Sequence, residues 1–376
     1  MKHKSSPRLR FTGAALLLLF LMLLLPALRD QNQTLFLLVV LIPCSVFLCD
    51  TLLGRMFSLD RMILSLTLWL CAAGIAALAP ADPEAALTQS LRCGAGLVAL
   101  LVGGIMVRSL SPSLLTSLCT AFLGLLILAG RLLAPSFTLP LTEAALALLL
   151  ISFAAMLTRQ GPVSAAAVGI AALALLLVRG EITEALFWGL LVFLLFFAVD
   201  GRLIVVVPAL AVVLLAFFAA FRFLPVSAAA PDNTRLTALV SAGALGTDTL
   251  PESIASLGTV SLFPRLAGHY GLVFAGLTVL LMLPLCLRGT TVAVSARTRF
   301  HAVLAMGISL LLGLRTLGAV LSAFGILPLD VPAVPLLTSE LPSLCAQMFL
   351  MGLLCGISGR NDADLAEDAH LAMLAK

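Results

Sequence analysis

Runs of apolar residues, each about as long as a bilayer-crossing helix and each closed by a short polar joint, recur from one end of the chain to the other. Crossing the hydrocarbon core takes about 20 mostly apolar residues in a helix. The runs predict helices near 11–28, 34–54, 62–80, 90–107, 113–134, 141–158, 162–178, 185–199, 203–223, 270–287, 299–324 and 341–358. The predicted fold is therefore all-α, a polytopic membrane bundle of about 10–12 transmembrane helices. A membrane domain over 11–358 lies between a short tail at 1–10 and another at 359–376. One joint, 224–269, is far longer than the rest.

Composition narrows the chemistry. Of 376 residues, 61% are hydrophobic and 11% charged, with a mean hydropathy of +1.17, values that exclude a soluble globular protein. No soluble catalytic domain fits between the helices, so chemistry falls to loops, helix ends and polar groups at membrane depth. The first run follows Lys2, Lys4, Arg8 and Arg10 but ends in Pro26, Ala27, Leu28, Arg29 and Asp30. Without a small-x-small cleavage site it reads as a retained helix rather than a signal peptide.

Basic residues then orient the bundle. With the N-terminus inside, inner segments hold 14 of the 22 Lys and Arg and outer loops hold Arg29, Arg179, Arg222, Arg235 and Arg265. This is the bias expected of short loops on the cytoplasmic side. It predicts a multi-pass protein of a bacterial plasma membrane with both termini cytoplasmic, and it explains the net charge of +4 without a nucleic-acid partner. The long joint is then external, and its Asp232, Arg235, Asp248, Glu252 and Arg265 make it either a functional surface or a solvated connector.

The eight cysteines form no C-x-x-C pair and read as packing residues, and the four histidines have no H-E-x-x-H spacing, so no metal site is indicated. Arg315 lies within an apolar run, where an ionised group is costly, and is expected to face the bundle interior or an aqueous cavity. Its partner is not readable from the sequence. Glu143, Glu181 and Glu184 stand at helix starts, where capping and function are both open readings. Gly94, Gly96, Gly103 and Gly104 share one run and predict close helix packing.

Several segments of the last two thirds carry a family resemblance. The stretch Thr259-Val-Ser-Leu-Phe-Pro-Arg-Leu-Ala-Gly-His-Tyr-Gly-Leu272 resembles T-D-F-I-F-x-x-x-A-E-E-x-G-L, and Phe324-Gly-Ile-Leu-Pro-Leu-Asp-Val-Pro-Ala-Val-Pro335 resembles G-L-L-P-x-T-G-x-P-L-P. Both are motifs of the SEDS family of FtsW, RodA and SpoVE. Ala238–Gly246 is similar to its A-I-x-S-G-G-x-x-G, Glu181–Leu186 sits where it has D-L-G-T-A-L, and Thr142-Glu143 where it has the S-E of Q-P-S-E. The resemblance spans roughly residues 137–360. Twelve spans exceed the family's usual ten by two.

The resemblance implies a cell-wall glycosyltransferase that polymerises lipid II, or another undecaprenyl-linked substrate, by inverting transfer beside a class B penicillin-binding protein, in division, shape or sporulation. In such a reaction a carboxylate takes a proton from the attacking sugar hydroxyl and basic groups hold the departing pyrophosphate. The family's essential Asp falls at Val260, its paired glutamates at Gly268 and His269, and its S-Y-G-G-S at Thr338–Ser343. If activity survives, Asp248, Glu252 or Glu340 must supply the base. Glu143, Glu181, Arg235 and Arg265 are the expected substrate-binding residues. No cofactor is expected, and a divalent metal requirement stays open. The alternatives are a non-catalytic homologue acting as partner or scaffold of a penicillin-binding protein and, more remotely, a transporter of a lipid-linked solute.

Overall fold

The structure, a computed structural model, describes residues 7–30, 33–57, 59–107, 109–133, 141–200, 262–324 and 334–374, with a few isolated positions between 211 and 247. Eleven helices are present among them: α1 (Pro7–Asp30), α2 (Gln33–Met56), α3 (Arg61–Leu78), α4 (Pro83–Met106), α5 (Leu114–Leu133), α6 (Thr142–Arg159), α7 (Pro162–Val178), α8 (Ile182–Asp200), α9 (Leu262–Ser295), α10 (Arg299–Ala323) and α11 (Leu341–Leu374). Eight are long and apolar enough to cross a membrane, and Leu114–Gly130 and Pro162–Val178 are shorter apolar helices. The protein is a polytopic helical membrane bundle. The expected span at 203–223 lies almost wholly outside the described residues, as does most of the long joint.

Local chemistry sets the helix starts. Asp60 Oδ1 accepts the Met62 N–H (3.0 Å) to cap α3, and Asp82 Oδ1 accepts the Glu84 and Ala85 N–H groups (3.1 and 2.9 Å) ahead of Pro83. An Asx cap followed by proline is a strong helix start. It carries α4 back to 83, seven residues earlier than apolar content alone predicts.

The tightest helix pair is α4 against α11. A Cβ on Gly103 would strike the Phe349 carbonyl, one on Gly352 the Leu100 carbonyl, and one on Gly356 the Gly104 carbonyl at 2.7 Å. Two backbones in direct contact need small residues on both sides. Gly96 and Gly104 share this seam, while Gly94 has open space around it. The α3 helix is enclosed almost throughout, with Ile63, Leu64, Ala73, Ala76 and Ala77 at 0% exposure. Tyr270 Oη ties α9 to it by donating to the Ala76 carbonyl (2.9 Å).

Two elements run past their expected limits. The α9 helix starts at Leu262 and breaks at Gly271, whose φ of 84° is left-handed, so residues 262–270 form a short limb instead of the end of a loop. Leu262, Phe263, Leu266, Ala267 and Tyr270 are all buried on it, an amphipathic spacing too short to register as a span. The α11 helix continues to Leu374, past the expected end near 358. Asn361 Nδ2 donates to the Val292 carbonyl and Ser295 Oγ (3.4 and 3.3 Å), which anchors the turn where polarity suggested a tail.

Candidate functional site

Helices α6 and α8 both begin at one end of the bundle, with α7 returning between them. Glu143 and Glu184 stand in their first turns. Arg315, two thirds along α10, reaches both. Its guanidinium pairs with Glu143 Oε1 at 2.8 Å and Glu184 Oε2 at 2.6 Å, and the residue is 3% exposed. It faces the bundle interior as expected, and its partners are now identified. The Glu143 carboxylate is not spent on capping: its second oxygen accepts from Gln347 Nε2 on α11 (2.6 Å).

Gln347 links this cluster to the segment before α11. Its Oε1 accepts the Leu336 N–H (2.5 Å), and Leu336 is the one non-glycine residue with positive φ (67°) among those described. Such a backbone persists only where neighbours over-determine it. Here Gln89 of α4 donates to the Thr338 carbonyl (2.8 Å) and Arg92 to the Ser339 carbonyl (2.9 Å). Glu340 follows, its N–H held by Thr338 Oγ1 (3.2 Å). Burial, and then the negative Glu143, raise the Glu340 carboxyl above the ordinary glutamate range.

A second pair extends the cluster. Arg179 Nη2 contacts Glu181 Oε1 at 2.5 Å and donates to Thr142 Oγ1 at 3.0 Å, while Thr142 Oγ1 donates to Glu181 Oε2 at 3.3 Å. Three carboxylates, Glu143, Glu181 and Glu184, thus face two guanidiniums. The Nε atoms of both arginines are buried without an acceptor. Beside Arg315 is a void of about 10 Å³, the space of about one water. Among the described residues no group of three or more His, Cys, Asp and Glu could hold a metal, and all eight cysteines are free thiols.

Of the residues expected at a site, Glu143, Glu181 and Glu340 come to this end of the bundle. Arg265 is half-buried on the short limb of α9. Arg235, Asp248, Glu252 and Val260 lie outside the described residues. Two motif segments far apart in sequence do meet: the Thr247 N–H donates to the Gly268 carbonyl (2.9 Å) and the Leu272 N–H to the Gly243 carbonyl (3.1 Å). Gln89, Arg92, Arg179 and Gln347 were not predicted. Gln89 and Gln347 could have been suspected as amides in otherwise apolar helices, since a buried amide needs partners.

No protein-family model and no curated protein matches the sequence. Solved structures do match. A chain of a peptidoglycan synthase complex, solved for the coordination of polymerization and crosslinking, superposes with a TM-score of 0.65 at 21% identity, over 81% of this chain and 98% of that one. The rod shape determining protein RodA of Thermus thermophilus gives 0.57 at 19% identity over 81% and 98%, and a point variant of it 0.57 at 18% over 80% and 97%. The chain has the SEDS fold. Nearly all of each neighbour is matched, while about a fifth of this chain has no counterpart, enough for two additional spans. Within the SEDS fold, the Arg315 cluster joins α6, α8, α10 and α11.

Proposed function

We propose that this protein is a SEDS-type subunit of bacterial cell-wall synthesis that works beside a class B penicillin-binding protein without polymerising lipid II itself. The observation that supports this reading is the commitment of carboxylates at the Arg315 end. Glu143 and Glu184 are taken up by Arg315 and Glu181 by Arg179, and the position of the family's essential Asp is Val260. These carboxylate oxygens are already engaged by guanidinium N–H donors, a geometry that fixes them in place as ion-pair partners, and valine accepts no proton at all.

One observation favours a second reading, in which glycosyl transfer survives. Glu340 has no ion pair among the described residues, and its carboxyl is raised by burial and by Glu143, which makes it a stronger proton acceptor than an ordinary glutamate. The deciding experiment is lipid II polymerisation by the purified protein, alone and with a co-expressed class B penicillin-binding protein. Absence of glycan product together with co-purification of the two proteins is expected. Product that disappears in Glu340→Gln establishes the second reading, and loss of both product and partner binding overturns the first.

A further inference from the structure

The end of the bundle opposite Arg315 contains a cavity of about 620 Å³. It lies where α2 ends, α4 ends and α11 passes, lined by Met56, Phe57, Leu101, Ile105, Cys355 and Arg360 among others. Its walls are held from behind. Asp60 Oδ2 accepts from Arg288 Nε (2.9 Å) and from Ser358 Oγ (2.8 Å), joining the start of α3 to α9 and α11.

Three features identify the occupant. The rim residues Met56 and Ile105 are 72% and 54% exposed at the ends of membrane-spanning helices, so the cavity opens sideways into the bilayer. The lining is apolar apart from Arg360 and backbone, which suits a hydrocarbon chain, and the size is that of a ligand pocket. Arg360 is exposed and, among the described residues, no carboxylate lies within ion-pair reach of it, whereas Arg288 is neutralised by Asp60. An apolar slot open to lipid, with an exposed guanidinium at its polar end, is complementary to an acyl chain beneath an anionic headgroup. We infer that this cavity binds one anionic phospholipid of the adjoining leaflet, with an acyl chain between α2, α4 and α11 and its phosphate on Arg360. The site is independent of the cell-wall reading.

The test uses the full-length protein in detergent, titrated with phosphatidylglycerol or phosphatidylcholine and read by native mass spectrometry. One phosphatidylglycerol is expected to bind in preference to phosphatidylcholine. Arg360→Gln should weaken phosphatidylglycerol binding about fivefold, the effect of one basic residue on an anionic lipid surface, with phosphatidylcholine unchanged. Ile105→Trp, which fills the mouth, should weaken both. Arg299→Gln, an exposed arginine that does not line the cavity, should change neither. Equal binding of the two lipids by the wild-type protein overturns the inference. So does an Arg360→Gln effect no larger than that of Arg299→Gln, or Ile105→Trp without effect in a folded, monodisperse sample.

Discussion

At the scale of single residues, the most consequential group is Arg315. One guanidinium neutralises two carboxylates that would otherwise repel one another in a medium of low polarity. Removing one partner of a buried pair leaves an uncompensated charge and costs about 3–5 kcal/mol. Arg315→Gln should therefore lower the thermal midpoint in detergent sharply. Adding Glu143→Gln and Glu184→Gln in the same chain should restore much of the loss, a non-additivity that a mutant cycle measures directly. Glu340 makes a pH prediction of the opposite kind. Its folded-state pKa is raised from an ordinary value of 4.5, so its contribution to stability is full below that value and is lost as pH rises through the raised one. Stability profiles of the wild-type protein and Glu340→Gln should converge at low pH and separate above it, the variant being the less pH-dependent.

At the scale of elements, the α4–α11 seam is where side-chain volume matters most. Gly352→Ala places a methyl group against the Leu100 carbonyl, and a helix backbone cannot yield locally as a side-chain tip can. The pair must separate, at a cost of about 1–3 kcal/mol. Gly94→Ala, on the same α4 but facing open space, should be neutral or slightly stabilising, because alanine is the better helix former. Unfolding followed by size-exclusion chromatography of heated samples separates these outcomes. The seam was partly legible: the α4 glycines stood out as a group, but no sequence feature distinguished Gly94 from Gly96, Gly103 and Gly104. That depends on which face of α4 meets α11, a matter of packing and not of composition.

At the scale of the whole molecule, arginines gather at the Asp60 end, where Arg55, Arg61, Arg159, Arg297 and Arg299 lie at the ends of helices or in their joints and Arg288 and Arg360 lie within α9 and α11. Positive loops resist translocation, so an alkaline phosphatase fusion after Lys376 should be inactive and a green fluorescent fusion there should be bright. An active phosphatase fusion would reverse the orientation. The sequence by itself determined the solvent, the class and the approximate helices, because twenty-residue apolar runs have one stable form in a bilayer. It also held enough motif residues for the SEDS resemblance that the superposition with RodA later matched. Tertiary structure alone decided that Arg315 pairs with Glu143 and Glu184, that Gln347 ties the cluster to Leu336, and that the short limb at 262–270 is helical. The contacts of Arg315 with Glu143 and Glu184 and of Gln347 with Glu143 join helices more than a hundred residues apart, Leu336 is held by a side chain of the following helix, and the limb is too short to span. Apolar periodicity records which residues prefer lipid or interior, but the partner of a buried charge is chosen by which helix faces come together.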